Sequence, residues 1–194
     1  MARSERLAHA LIGVYCCALL AGCASTTVAL TPSPQLPVCD RTATALVLWA
    51  PQWRSDQKDV AEREEAAATG LKNFLAGSRC FARSELRRIP DLGPAAVAAE
   101  MADAAGKFIR VVAIGVRELG PVVKLLSSAA LVEGGTEVVL QVTTYSAPGA
   151  TTNPREFAVQ WKNSGPGVVK GVASLASDME AALLAGLQAG PATK

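Results

Sequence analysis

Phe108–Glu118 (FIRVVAIGVRE) does most to limit what this chain can fold into. Its middle, Val111–Ile114, is apolar at every position, so a strand here would have two apolar faces, and both would need cover. Such a strand belongs inside a sheet with helices packed on it, not on a solvated edge. At 194 residues and 50% hydrophobic content, the chain can supply one domain with a core of this kind but not a second full one.

The flanking segments predict the remaining elements. Ala43–Trp49 (ATALVLW) is a short apolar run suited to a buried strand and closed by Pro51. Asp59-Val60-Ala61-Glu62 has the spacing of a capping box. A helix over about 60–76 then places Val60, Ala67, Leu71, Phe74 and Leu75 on one stripe, with Glu62, Arg63 and Lys72 largely off it and Gly77 as a stop. Cys80–Ile89 predicts a strand. Pro94 opens a helix that Gly106 ends. Gly120–Val132 fits a strand or a helix and is assigned to strand. Gly134-Gly135 reads as a turn. Thr136–Ser146 and Glu156–Lys162 read as strands joined by a Pro/Gly/Asn-rich hairpin loop, and 168–187 as a closing helix with Val168, Val172, Leu175, Met179, Leu183 and Leu187 on its stripe. The order β-α-β-α-β-(β)-β-β-α predicts an α/β (α+β) fold, a single mixed sheet with about three packed helices. No internal repeat is visible.

The N-terminus has the zones of a secretory signal: Arg3 and Arg6, an apolar stretch from Ala8 to Leu20, and Leu20-Ala21-Gly22-Cys23. The apolar stretch is shorter than the roughly 20 residues of a permanent spanning helix. The closing tetrapeptide resembles the bacterial lipobox. The resemblance implies a lipoprotein cut after Gly22, with diacylglycerol on the Cys23 thiol and an acyl chain on the new amine. Several chains would make the anchor effectively permanent, since each buried methylene contributes about 0.8 kcal/mol. It also implies sorting, in which Ala24, where an Asp would favour retention in the inner membrane, points to the periplasmic side of the outer membrane. Domain boundaries follow: 1–22 signal, 23–38 a lipidated, Pro- and Thr-rich tether, and 39–190 a periplasmic domain.

Once Cys16, Cys17 and Cys23 are assigned to the signal and the anchor, Cys39 and Cys80 remain. In an oxidising periplasm the pair predicts one disulfide, with two buried free thiols as the alternative.

The only histidine, His9, lies in the signal, so Ser-His-Asp and Cys-His nucleophiles and the commonest zinc sites are not expected. Cys39 and Cys80 do not form a CxxC redox pair. Glu62, Glu64 and Glu65, with Asp56 and Asp59 before them, read as a solvated helix face, since a catalytic pair needs a second carboxylate facing the first. Gly134-Gly135 and Gly165-Pro166-Gly167 lack the spacing and lysine of a phosphate loop. No enzyme, cofactor or metal is therefore expected. The net charge of +2, or +1 without Arg3, Glu5 and Arg6, argues against nucleic acid.

Two groups are candidate partner-binding residues. Trp49, Trp53 and Arg54 flank Pro51 at the end of the first strand, and Trp and Arg are enriched in binding hot spots. The alternative is that Trp49 is core and Trp53 caps it. Arg83, Arg87 and Arg88, with Arg79 before them, could meet an anionic partner or could be a charged edge that deters aggregation.

The element order resembles the small periplasmic α/β domains of the curli secretion lipoprotein and of the lipoprotein activator of penicillin-binding proteins. Neither a pore-forming hairpin nor a catalytic signature can be matched, so no residue role is carried over. The expectation is a non-enzymatic, anchored accessory or scaffold protein that binds another envelope component, most simply a protein. The alternative is a lipid- or glycan-binding auxiliary of an envelope transporter.

Overall fold

The computed structural model describes residues 24–126, 131–146, 153–166, 168 and 170–188. Six strands form one mixed sheet: β1 (Ser25–Thr31), β2 (Asp40–Pro51), β3 (Phe81–Arg88), β4 (Arg110–Leu126), β5 (Leu131–Ser146) and β6 (Arg155–Pro166). Their spatial order is β1-β6-β5-β4-β2-β3. Three helices accompany them, α1 (Val60–Gly77), α2 (Pro94–Asp103) and α3 (Leu175–Leu187), the last entered through a short 3-10 turn at Val172–Ser174. The expected α/β class and single mixed sheet are therefore what the chain forms.

β2 pairs in parallel with both β3 and β4, and the other pairings are antiparallel. The β2-α1-β3 crossover moves outward and the β3-α2-β4 crossover moves back, so connections of one hand put α1 and α2 on opposite faces. This satisfies the demand made by Val111–Ile114. Val112 and Ile114 join the core under α1 and α3 with Val47, Trp49, Leu71 and Phe74. Val111 and Ala113 join a smaller core under α2 with Leu46, Leu48 and Val97. Over β5 and β6 the second face is solvated instead, with Gln160 donating to Glu137 at 2.6 Å and Gln141 to Glu156 at 2.9 Å.

A shift of register between Val116 and Glu118 changes the phase of β4 at Arg117. Leu119, not Glu118, therefore faces the helices and is fully buried. Cys39 and Cys80 are joined by a disulfide, which clamps the starts of the parallel neighbours β2 and β3.

Several expectations need correction. Ser25–Thr31, assigned to a tether, is an edge strand that pairs with β6 from Ser25↔Ser164 to Thr31↔Ala158. The following residues form a strap across the sheet's end, where the Val38 and Cys39 amides donate to the Leu187 carbonyl at 2.9 and 3.2 Å. Gly134-Gly135 is not a turn but lies inside β5, where Gly135 pairs with Val122 and Ser164. A Cβ on Gly135 would lie 2.3 Å from the Asn163 carbonyl oxygen, so the residue serves close strand approach. The ambiguous segment Gly120–Val132 is strand on both described sides, and β4 and β5 make one long pair reaching Leu126↔Leu131.

In α1, Val60 is exposed and Arg63 is buried, the reverse of the expected stripe. Asp59 is left-handed (φ 53°), and among the described residues its carboxylate makes no capping bond. Val168 and Val172 precede α3 and do not lie on it.

Candidate functional site

Cys23 lies outside the described residues, but β1 starts two residues after it. The ladder Ser25↔Ser164↔Gly135↔Val122 fixes the end of the sheet at which the chain enters. Beyond this row β4 and β5 continue as a pair for four more residues each, about 14 Å at strand rise. That extension carries the sequence Val122-Val123-Lys124-Leu125-Leu126 against Leu131-Val132-Glu133. No helix among the described residues is long and apolar enough to cross a membrane.

The tryptophan candidates are brought together but largely withdrawn from solvent. Trp49 is 3% exposed and belongs to the core, so it cannot serve as a partner contact. Its alternation with Leu48 on a strand covered on both faces leaves it no other place. Trp53 is half-buried and packs on the same cluster, with its Nε1 buried and without a partner among the described residues. It borders an open cleft of about 440 Å3 with Arg54, Arg117, Glu118 and Glu137. The charges there are balanced: Arg54 lies 3.7 Å from Glu118 and from Asp56.

The β3 arginines diverge. Arg87 meets Glu85 at 2.6 Å, Glu100 at 2.8 Å and Asp103 at 3.0 Å, tying β3 to α2. Arg88 points to the other face, pairing with Glu64 of α1 at 2.8 Å and lying over the Trp49 ring. Arg83 is exposed. These residues do not form one patch, because neighbours in a strand alternate faces and each face offers its own carboxylates.

A cleft that the sequence reading missed lies at the opposite end of the sheet. It holds about 410 Å3, and its lining includes Arg110, Arg155, Thr144, Ser146, Asn153 and Tyr145. Arg110 faces Ser146 across the β4–β5 ladder, and Arg155 faces Thr144 across the β5–β6 ladder. The two arginines therefore straddle β5, whose hydroxyl residues lie between them. Both continue core stripes, Arg110 before Val112 and Ile114, Arg155 before Phe157 and Val159. The inward face thus turns basic where the helical cover ends.

The strap holds both guanidiniums. Arg155 Nη1 donates to the Leu36 carbonyl at 2.8 Å, and Arg110 Nη1 to the Val38 carbonyl at 3.1 Å. Arg110 also meets Asp40 at 3.4 Å, while Arg155 lies over the Phe157 ring. Burial, and then repulsion by Arg110, depress the Arg155 pKa. Burial, and then Glu156, raise that of Tyr145. Among the described residues no carboxylate lines this cleft. Local sequence signals for it are weak, since Arg110 and Arg155 are each a single charge at the start of a strand and only the sheet register joins them.

Among the described residues no group of three His, Cys, Asp or Glu side chains could hold a metal ion.

No family model and no curated protein matches the chain. Among solved structures, it is similar to the PelC dodecamer from Paraburkholderia phytofirmans, at 19% identity over 85% of this chain and 99% of that one, with a TM-score of 0.45. It is also similar to a putative neuraminyllactose-binding hemagglutinin homolog from Helicobacter pylori, at 13% identity over 78% and 84% of the two chains, with a TM-score of 0.39. A third is protein XCC0632 from Xanthomonas campestris, at 16% identity over 81% and 85%, with a TM-score of 0.35. Likenesses this weak transfer no role to the chain.

Proposed function

We propose that this chain is a non-enzymatic lipoprotein of the bacterial envelope, anchored through Cys23, whose domain binds another envelope component. One observation supports the reading above the others: the anchor end and the basic cleft lie at opposite ends of the same strands. Gly135, in the Ser25 row, and Thr144, in the cleft, are nine residues apart on β5, or about 30 Å. With only Ala24 between Cys23 and β1, lipidation would hold the domain close to the bilayer without a long spacer, and the cleft would open away from it. A domain anchored at one end and open at the other suits capture of a partner. The reading as non-enzymatic rests on the sequence, whose one histidine, His9, lies in the N-terminal segment read as a signal.

The test is expression of the full chain in a Gram-negative host with in vivo cross-linking. The expected result is an acylated N-terminal Cys23 by mass spectrometry, sedimentation with outer membranes, and an envelope component cross-linked through residues at the cleft. Release of Cys23→Ala into the soluble periplasm should accompany it. A wild-type chain that carries no lipid and stays soluble would overturn the anchor, and cross-links only through the anchor end would overturn the orientation.

A further inference from the structure

We infer that the Arg110–Arg155 cleft is a binding site for an oxyanion, a carboxylate or a phosphate group carried on an envelope molecule. This names the ligand chemistry of the reading above, and it can be tested without the anchor.

The cleft is built for a negative group by subtraction as well as by addition. Several basic residues on the other surfaces have acidic partners within reach: Arg63 with Glu118, Arg87 with three carboxylates, Arg88 with Glu64, and Lys170 with Asp178. In the cleft, Arg110 has one carboxylate, Asp40, at 3.4 Å. Arg155 donates to a neutral carbonyl and stacks on a ring. Two guanidiniums brought this close without a shared counter-charge destabilise each other, and burial strengthens the effect. The depressed pKa of Arg155 has these two causes. An anion placed between the two guanidiniums would offset their repulsion and supply the counter-charge that burial makes more valuable.

The geometry also suits a small, multidentate group. The carbonyls that hold the two guanidiniums belong to Leu36 and Val38, two residues apart, so the anchors are separated by no more than about 7 Å along the strap. Each guanidinium keeps further N–H donors in a planar fork, the arrangement that matches carboxylate and phosphate oxygens. Thr144 and Ser146 add hydroxyl residues on the strand between. Leu36 and Ile109, 69% and 58% exposed, form an apolar rim that could hold the body of the ligand. The other cleft, beside Trp53, lacks this logic because its two arginines share it with two glutamates.

The experiment is calorimetric and NMR titration, at low ionic strength, of the chain from residue 23 onward with Cys23→Ser. Three probes are used: inorganic phosphate, galacturonate, and galactose as the neutral control. The expected result is saturable binding of phosphate, galacturonate or both, none of galactose, and weakening by added salt. Preference for phosphate points to a phosphorylated lipid or polymer as the source, and preference for galacturonate to an acidic glycan. Arg155→Gln should weaken binding at least about tenfold, the loss expected for a charged hydrogen bond. Arg155→Lys should recover only part of it. Thr144→Val serves as a second variant that leaves both charges in place, and should weaken binding several-fold. Absence of binding by both anions, or wild-type binding by Arg155→Gln and Thr144→Val, overturns the site whether or not the anchor stands.

Discussion

The Arg63 guanidinium fills the space that a side chain on Gly120 would need: a Cβ there would lie 1.7 Å from Nη1. From that position Arg63 donates to the Leu119 carbonyl, to the Lys58 carbonyl at 2.8 Å, and to Glu118 at 3.1 Å. It joins the start of α1 to the point on β4 just past the change of phase. Arg63→Ala should cost about 3 kcal/mol, since it leaves the buried Leu119 carbonyl without this donor and takes from half-buried Glu118 the nearer of its two arginines. Gly120→Ala should cost a similar amount by displacing the same group. Urea denaturation of the two single variants and the double variant checks this: the double should be far less destabilised than the sum.

What was legible in the sequence, and what was not, follows the range of the interactions involved. Val111–Ile114 showed a doubly covered strand because the signal is contiguous, and Pro94 marked the start of α2 by chemistry local to a helix end. Ser25–Thr31 escaped because an edge strand with Ser and Thr just ahead of several prolines has the composition of a linker, although Thr-Val-Ala-Leu suits a strand. Only pairing with β6, far along the chain, makes it one. Gly134-Gly135 misled for a related reason, as the same residue type serves a turn or a close approach and local sequence does not say which. The Arg110–Arg155 cleft depends on register across three strands, and Arg63 on a glycine more than fifty residues away.

The Cys39–Cys80 disulfide closes a loop spanning 41 positions at the starts of β2 and β3. Reduction should lower stability by about 4 kcal/mol in the chain-entropy account. Because Cys39 directly follows Val38, whose carbonyl holds Arg110, the loss should loosen the cleft as well as the sheet edge. Hydrogen exchange on the reduced protein should show the Val38 and Cys39 amides, bonded to Leu187, opening before those of central β4.

Tyr145 is the only tyrosine besides Tyr15, so in the chain from residue 23 onward ultraviolet absorbance follows its ionisation alone. Burial, and secondarily Glu156, should make the phenol titrate above the ordinary value of about 10. A raised pKa in the folded state means that this contribution to stability is complete below the unfolded value and is lost as pH rises through the folded one. Glu156→Gln should lower the midpoint only in part, because burial is the larger cause. A midpoint at the ordinary value in the wild type would contradict the half-buried position of the ring.

Lys170 Nζ lies 2.6 Å from Oδ1 of Asp178, a carboxylate that is only 5% exposed, and Ser174 donates to its other oxygen at 3.0 Å. The ammonium also lies over the Trp161 ring. This cluster fixes the entry to α3, which begins later than a pattern of apolar residues predicts. Lys170→Met should destabilise by about 3 kcal/mol, since it leaves Asp178 buried with a single hydrogen bond. Asp178→Asn, which removes the charge and keeps an acceptor for Ser174, should cost less. Thermal denaturation of the two variants orders them, and equal losses would mean that packing against Trp161, not the ion pair, holds the segment.

The row Ser25↔Ser164↔Gly135↔Val122 turns the proposed anchor into a prediction about orientation. If lipid on Cys23 holds that row near the bilayer, the β4–β5 extension beyond it points into the same surface, and its Val- and Leu-rich sequence suits the change of solvent. An environment-sensitive fluorophore on Val123→Cys in the lipidated chain, reconstituted in vesicles, should report an apolar setting and resist an aqueous quencher. The same probe on Asn153→Cys, at the cleft end, should remain quenchable. In the unlipidated Cys23→Ser chain with vesicles, the two labels should be quenched more nearly alike, because the extension alone lacks the second membrane contact. A Val123 label equally exposed with and without the lipid would mean that the domain leans away from the membrane despite the short connection.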